Sequence, residues 1–350
     1  MSLLAGCSLS VEAPTSRAPS TSLTTISPLV STPTDPAGLV VPDGFLPGVL
    51  ATDFHGEFIA IDITTGESLR FATEDVGISG ALSGTLLSNG VVVLAGARGG
   101  GVSIFANGLS EVPTTLRAGF PAVMVPTPDP TQVWMVEVMP PWRMELHSVG
   151  SQSVIVETSI DLAEEAGMQP VGATADGLVL QSVVYQDRGI PIPESESVYL
   201  VEPSGDIQHL GNGVVLTFGP HTIYLRECDE SGCGLTEVRT DTGDRREVSN
   251  RVWNSPTASS DTGEASDQWS VVSPSGAQIL LTDDSGVVVL NLQTSHIEPL
   301  VLSSFSLAAW MDDREIVVIS DGSVQTVSPD EPLRTVATIP DGFYVLDAGY

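Results

Sequence analysis

From Leu46 onward, apolar runs of four to six residues alternate with Gly, Asp, Asn, Ser and Pro. This pattern predicts many short β-strands joined by turns. Only residues 162–167 have a helical cast, and they are too few to form a lasting helix. Two kinds of hairpin recur. The inner kind turns at Ser88-Asn89-Gly90, Pro128-Asp129-Pro130, Asp176-Gly177, Gly219-Pro220, Pro274-Ser275-Gly276 and Asp312-Asp313. Each of these turns leads into an apolar strand: VVVLAG, VWMVEV, LVLQSV, TIYLRE, AQILLT and EIVVIS. The outer kind closes the strands FIAIDITTGE, VSIFANGLS, MELHSVGSQ, VYLVEPSGD, TEVRTDTGD, VVVLNLQTS and VQTVSPDEP.

The fold expected from this pattern is all-β. Each outer turn trails its inner turn by about 20 residues and units recur about every 35–55, the period of four-stranded β-propeller blades. The outer-turn motif is a strand, then Asp, a spacer and Thr-Gly: Asp62-Ile63-Thr64-Thr65-Gly66 in full, with Asp241-Thr242-Gly243 read as a contracted form. It resembles the degenerate propeller repeats of the YVTN and quinoprotein-like kind, and the resemblance extends over most of residues 46–350. The Trp-Asp and Gly-His signatures of WD40 repeats and the tryptophan-docking motif of quinone-cofactor enzymes are missing. Counting outer turns predicts seven four-stranded blades. The first, residues 46–72, is one strand short, and the unpartnered apolar segment 343–346 is expected to complete it by pairing N- and C-terminal strands. That closure would remove an open sheet edge. A pair of β-sandwiches is the rival, disfavoured by the even spacing and by the lack of a Pro/Gly/Ser linker inside the domain.

Before the strands, residues 8–45 are rich in Ser, Thr and Pro, without aromatics before Phe45, and read as a disordered tether. As a flexible coil its ends would lie roughly 30–40 Å apart. Leu4-Ala5-Gly6-Cys7 resembles the lipobox of bacterial, actinobacterial-type lipoproteins, which implies that the Cys7 thiol takes a diacylglyceryl group before cleavage leaves it N-terminal. Residues 1–7 would then be the end of a lipoprotein signal. Met1-Ser2-Leu3 supplies neither the basic n-region nor the apolar core of a signal, so either the true start lies further upstream or the sequence is a trimmed one. The implied address is extracytoplasmic, with the membrane as a partner through lipid on Cys7. On that compartment argument the remaining cysteines, Cys228 and Cys233 in Cys-Asp-Glu-Ser-Gly-Cys, read as a disulfide. Two free thiols or half of a zinc site are the alternatives, and zinc would need two further ligands.

Charge narrows the chemistry. The 350 residues carry 44 Asp and Glu against 13 Lys and Arg, a net charge of −31, and all thirteen basic residues are arginine. Without lysine there is no Schiff base and no phosphate-loop lysine. Nucleic acid is not an expected partner, because phosphate binding needs a basic patch. No Gly-x-Ser-x-Gly nucleophile elbow occurs, and Gly96-Ala97-Arg98-Gly99-Gly100-Gly101 is followed by a strand rather than the helix a phosphate cradle requires. The five histidines, His55, His147, His209, His221 and His296, fall in different units. Asp261, Glu264 and Asp267 in the polar insert 255–268 match no calcium-loop pattern and read as a solvated loop. A second insert, 185–197, carries Ile-Pro-Ile-Pro and reads as an exposed arm suited to a partner. These readings predict no cofactor, no metal and no catalytic residues. They point to a monomeric binding or scaffolding module with a protein or glycan partner on one propeller face. The alternative is an extracytoplasmic enzyme acting on glycan or peptide through channel carboxylates.

Overall fold

The computed structural model describes residues 25–26, 44–53, 55, 57–72, 81–87, 91–96, 102–109, 114–116, 122–129, 131–137, 143–148, 153–156, 167–183, 197–229, 232–253, 271–283, 286–300, 307–320, 322–328, 333–341 and 343–348. All regular structure among them is β. The strand β1 (Thr25–Ile26) precedes seven antiparallel sheets. The first contains β2 (Val49–Thr52), β3 (Glu57–Ile61) and β4 (Ser68–Ala72); the second, β5 (Ala81–Leu87), β6 (Val91–Gly96), β7 (Val102–Leu109) and β8 (Thr114–Leu116). The third holds β9 (Ala122–Pro126), β10 (Gln132–Glu137), β11 (Arg143–Ser148) and β12 (Ser153–Val156). The fourth is β13 (Gly167–Thr174), β14 (Gly177–Val183), β15 (Ser197–Val201) and β16 (Ile207–Asn212). The fifth is β17 (Val214–Gly219), β18 (Thr222–Asp229), β19 (Gly232–Arg239) and β20 (Arg245–Ser249). In the sixth are β21 (Gln278–Asp283), β22 (Gly286–Asn291) and β23 (Ile297–Pro299); in the seventh, β24 (Leu307–Trp310), β25 (Ile316–Ser320), β26 (Ser323–Val327) and β27 (Arg334–Thr338). The last strand, β28 (Tyr344–Ala348), returns to pair with β2, Val49 opposite Ala348 and Thr52 opposite Tyr344.

Two sheets depart from four strands. The sixth has three, with its inner position reduced to the single bridge Val272–Ile279, supported by Leu280 N–H donating to Val271 O at 2.8 Å. The third gains a fifth, because β1, in the stretch read as a tether, pairs with β12, Thr25 opposite Val154. Cys7, the segment 162–166, the insert 255–268, Trp142, Trp269 and all of the 185–197 arm except Ser197 lie outside the described residues.

The uninterrupted apolar runs have a direct cause. Successive residues of a strand face opposite sides, and here both sides are covered. Ile223 and Leu225 of β18 pack toward Val179, Val198 and Leu200 of the fourth sheet, whereas Tyr224 between them packs with Ile279 and Leu281 of the sixth. The same logic joins Phe58 and Leu50 to Leu86 and Leu94, and Trp134 and Met144 to Leu178 and Leu180. Trp310 and Val317 of the seventh sheet share one core with Leu280 of the sixth and with Val49, Ile59 and Ile61 of the first.

The outer turns need one correction. Gly66 N–H donates to Asp62 O at 2.8 Å, Gly243 N–H to Arg239 O at 2.9 Å and Ser295 N–H to Asn291 O at 2.8 Å. These are three turns of one length, so Asp241-Thr242-Gly243 is not a contracted form. Arg239 stands where Asp62 stands. The fifth position is left-handed, with φ of 75°, 75° and 57° at Gly66, Gly243 and Ser295, which favours glycine. Asp62 Oδ1 accepts from Thr64 N–H and Thr65 N–H at 2.8 and 3.0 Å, and Asn291 Oδ1 repeats this with Gln293 and Thr294.

Candidate functional site

In each meander the first and third turns lie along one edge of the stack. The middle hairpin and the link to the next sheet lie along the other. On this second edge, at the junction of the fourth and fifth sheets, a cleft of about 750 Å³ opens. Its lining includes Gly211, Asn212, Glu227, Asp229, Thr236, Arg245, Glu247, Asn250 and both sulfur-bearing residues Cys228 and Cys233.

The cleft is built by close backbone approach. Gly213, φ +139°, alone links β16 to β17, and a Cβ on it would sit 2.5 Å from Arg226 O. That single-residue link draws the two sheets together. Arg245 crosses the junction, donating from Nη1 to Leu210 O and from Nη2 to Glu227 Oε1. Gly211, φ +151°, leaves room for this, since a Cβ there would meet Arg245 Nη1 at 2.6 Å. One wall is the β18–β19 hairpin, where Cys228 and Cys233 stand directly opposite each other and form a disulfide with Cα atoms 4.0 Å apart. The disulfide expected from sequence is therefore present. The other wall is Asn212, whose Oδ1 accepts from Ser197 Oγ at 3.2 Å and lies 3.3 Å from His209 Nε2. Three carboxylates, Glu227, Asp229 and Glu247, face one guanidinium in this lining.

The opposite edge carries a different cluster. His221 Nδ1 lies 3.1 Å from Asp176 Oδ2, to which Thr240 Oγ1 also donates at 2.5 Å, while Ala175 N–H donates to Pro220 O at 2.7 Å. Here turns of the fourth and fifth sheets latch together. Ser275 N–H does the same for the sixth and seventh by donating to Asp313 Oδ1 at 2.8 Å. The hydrogen bonds from the Ser275 side chain and backbone hold the Asp313 carboxyl below the usual carboxylate range. In the fifth sheet's turn beside His221, the hydrogen bond from the Arg239 guanidinium does likewise for Asp241.

His55, His209, His221 and His296 lie in different sheets or turns and are exposed; His147 lies on β11. Trp134, Trp253 and Trp310 are core residues. Among the described residues no three of His, Cys, Asp and Glu gather into a metal-holding group. No described helix is long and apolar enough to cross a membrane. Of the cleft residues, only the cysteines were marked by sequence. Gly211-Asn212-Gly213 and the crowding of Arg226, Arg239, Arg245, Arg246 and Arg251 into one unit were the available signals.

Among the described residues, antiparallel meanders packed against one another make a propeller-like architecture. No family model and no curated protein matches the chain. A protein of unknown function from Desulfotomaculum acetoxidans is similar in structure, at 12% identity and a TM-score of 0.50, over 87% of this chain and 99% of that one. TolB from Acinetobacter baumannii matches at 12% identity, TM-score 0.43, over 85% and 81%. A streptogramin B lyase matches at 11% identity, TM-score 0.46, over 76% and 85%. At these identities the likeness is one of fold, and it says nothing about activity.

Proposed function

We propose that this chain is a lipid-anchored, extracytoplasmic binding or scaffolding module. Its seven sheets would act as the blades of one ring closed by β28 on β2, and a protein or glycan partner would enter the cleft between the fourth and fifth. The observation that carries the reading is the cleft itself. It has the size of a ligand site and offers hydrogen-bonding groups from four strands of two sheets. It also opens on the edge from which the two long polar inserts depart: β14 ends there before residues 184–196, and Trp253 there precedes residues 254–270. Segments inserted at one edge of a scaffold are where recognition residues gather. Cys7 would supply the anchor, and residues 8–24, the part of the Ser/Thr/Pro-rich stretch before β1, the reach.

The test is capture from a membrane fraction with the immobilised domain, using wild type and Asn250→Trp. Asn250 is exposed on the cleft rim, so an indole there fills the cleft without entering the core. A partner held by wild type and lost by Asn250→Trp is expected. Equal capture by both would remove the cleft from the function.

A further inference from the structure

We propose that the Cys228–Cys233 disulfide is a thiol–disulfide exchange site for a dithiol reductant, and that its redox state sets the shape of the cleft rather than the stability of the domain. Both cysteines are half-buried on the cleft wall, and the residues beyond them, Asp229 and Gly232, are exposed. Accessible disulfides are the ones that exchange.

The bridge is also redundant as a staple. It closes a separation of 5 residues, the end of the scale where cross-linking constrains the unfolded chain least. The base of the hairpin is held without it by the register from Thr222 opposite Arg239 to Arg226 opposite Leu235. Buried Ile223, Tyr224, Leu225, Leu235 and Val238 anchor its base. What the bridge does control is the tip. Glu227, next to Cys228, receives Arg245, and Arg245 also holds Leu210 O of the fourth sheet. The cross-link therefore fixes the position of the carboxylate that ties the hairpin to the neighbouring sheet.

One thiolate of the reductant attacks a bridge sulfur, forming a mixed disulfide and releasing the other cysteine as thiolate. The reductant's second thiol then displaces the protein, leaving Cys228 and Cys233 as thiols and the reductant as a cyclic disulfide. Two electrons and two protons pass to the protein.

The experiment uses the full chain as Cys7→Ser, so that only these two sulfurs can be labelled. Native protein is treated with dithiothreitol, alkylated and weighed intact, with amide exchange and thermal unfolding measured in parallel. Two labels should appear without denaturant, the melting temperature should shift by less than about 4 °C, and residues 227–234 should lose exchange protection. A Cys228→Ala/Cys233→Ala variant should reproduce the reduced protein's exchange pattern. Labelling only after denaturation, or a large fall in melting temperature on reduction, would make the bridge a structural staple. The readout needs no ligand, so its failure is separable from failure of the capture experiment.

Discussion

Ending the chain at Asp341 removes β28 and Phe343, and the structure sets the cost. Phe343 and Val345 pack against the core shared by the first, sixth and seventh sheets, and Arg70 stands 4.9 Å over the Phe343 ring. Losing two half-buried apolar side chains costs about 3 kcal/mol. Val49, Leu50 and Ala51, each 0% exposed, would become an open edge, costing about 3 kcal/mol more in new apolar exposure. The ladder lost at the four paired positions of β2 and β28 contributes about 1 kcal/mol net at each. Freeing the five strand residues returns about 1 kcal/mol each in backbone entropy. The net loss is about 5 kcal/mol, a large share of the roughly 5–15 kcal/mol that holds a domain folded. Thermal unfolding by circular dichroism of full and truncated chains should show a fall of about 10 °C or more. A fall below about 2 °C would mean that β28 is a loose tail, and would refute the proposed closure.

Other outcomes follow from single groups. Gly213→Ala places a Cβ 2.5 Å from Arg226 O at φ +139° and should cost roughly 2–4 kcal/mol by denaturant midpoint, from backbone strain and the clash; a loss under about 1 kcal/mol would contradict the tight link. Burial, and then the Glu237 charge, push Tyr224 up to about 12 from 10.0, so the unfolded chain ionises first. Its contribution is complete below pH 10 and is lost as pH rises towards 12; phenolate absorbance should show the late ionisation, and Tyr224→Phe should flatten that loss. Asp313 has a lowered pKa, so its contribution is present above the ordinary carboxylate range and fades as acid protonates it. Asp313→Asn should remove that part of the acid dependence and leave stability at neutral pH lower. Expressed from its natural start, the protein should partition into detergent and Cys7→Ser should not; identical partitioning would end the anchor reading.

The strands were readable because both faces of each sheet are covered, which writes runs such as VVVLN and IVVIS into the sequence. The turns were readable through glycine at a left-handed fifth position. Counting back from Gly243 to the nearest aspartate misframed one of them, because the first position requires only a backbone carbonyl and tolerates Arg239. At Ser295 the left-handed position is kept without glycine, so the composition signal fades there. The cleft was hardly readable. Asn212, Glu227 and Arg245 come from three strands of two sheets, and no local spacing joins them. The second observation missed was the one-residue link at Gly213, whose meaning depends on Arg226 O lying beneath it.

If recognition occurs on the cleft edge, amide exchange of the captured complex should register it there. Binding should protect residues 209–213, 226–236 and 245–250, the segments that carry the cleft lining, and should leave the Asp176, His221 and Thr240 turns unchanged. Protection centred on those turns, or spread evenly over all seven sheets, would contradict the account.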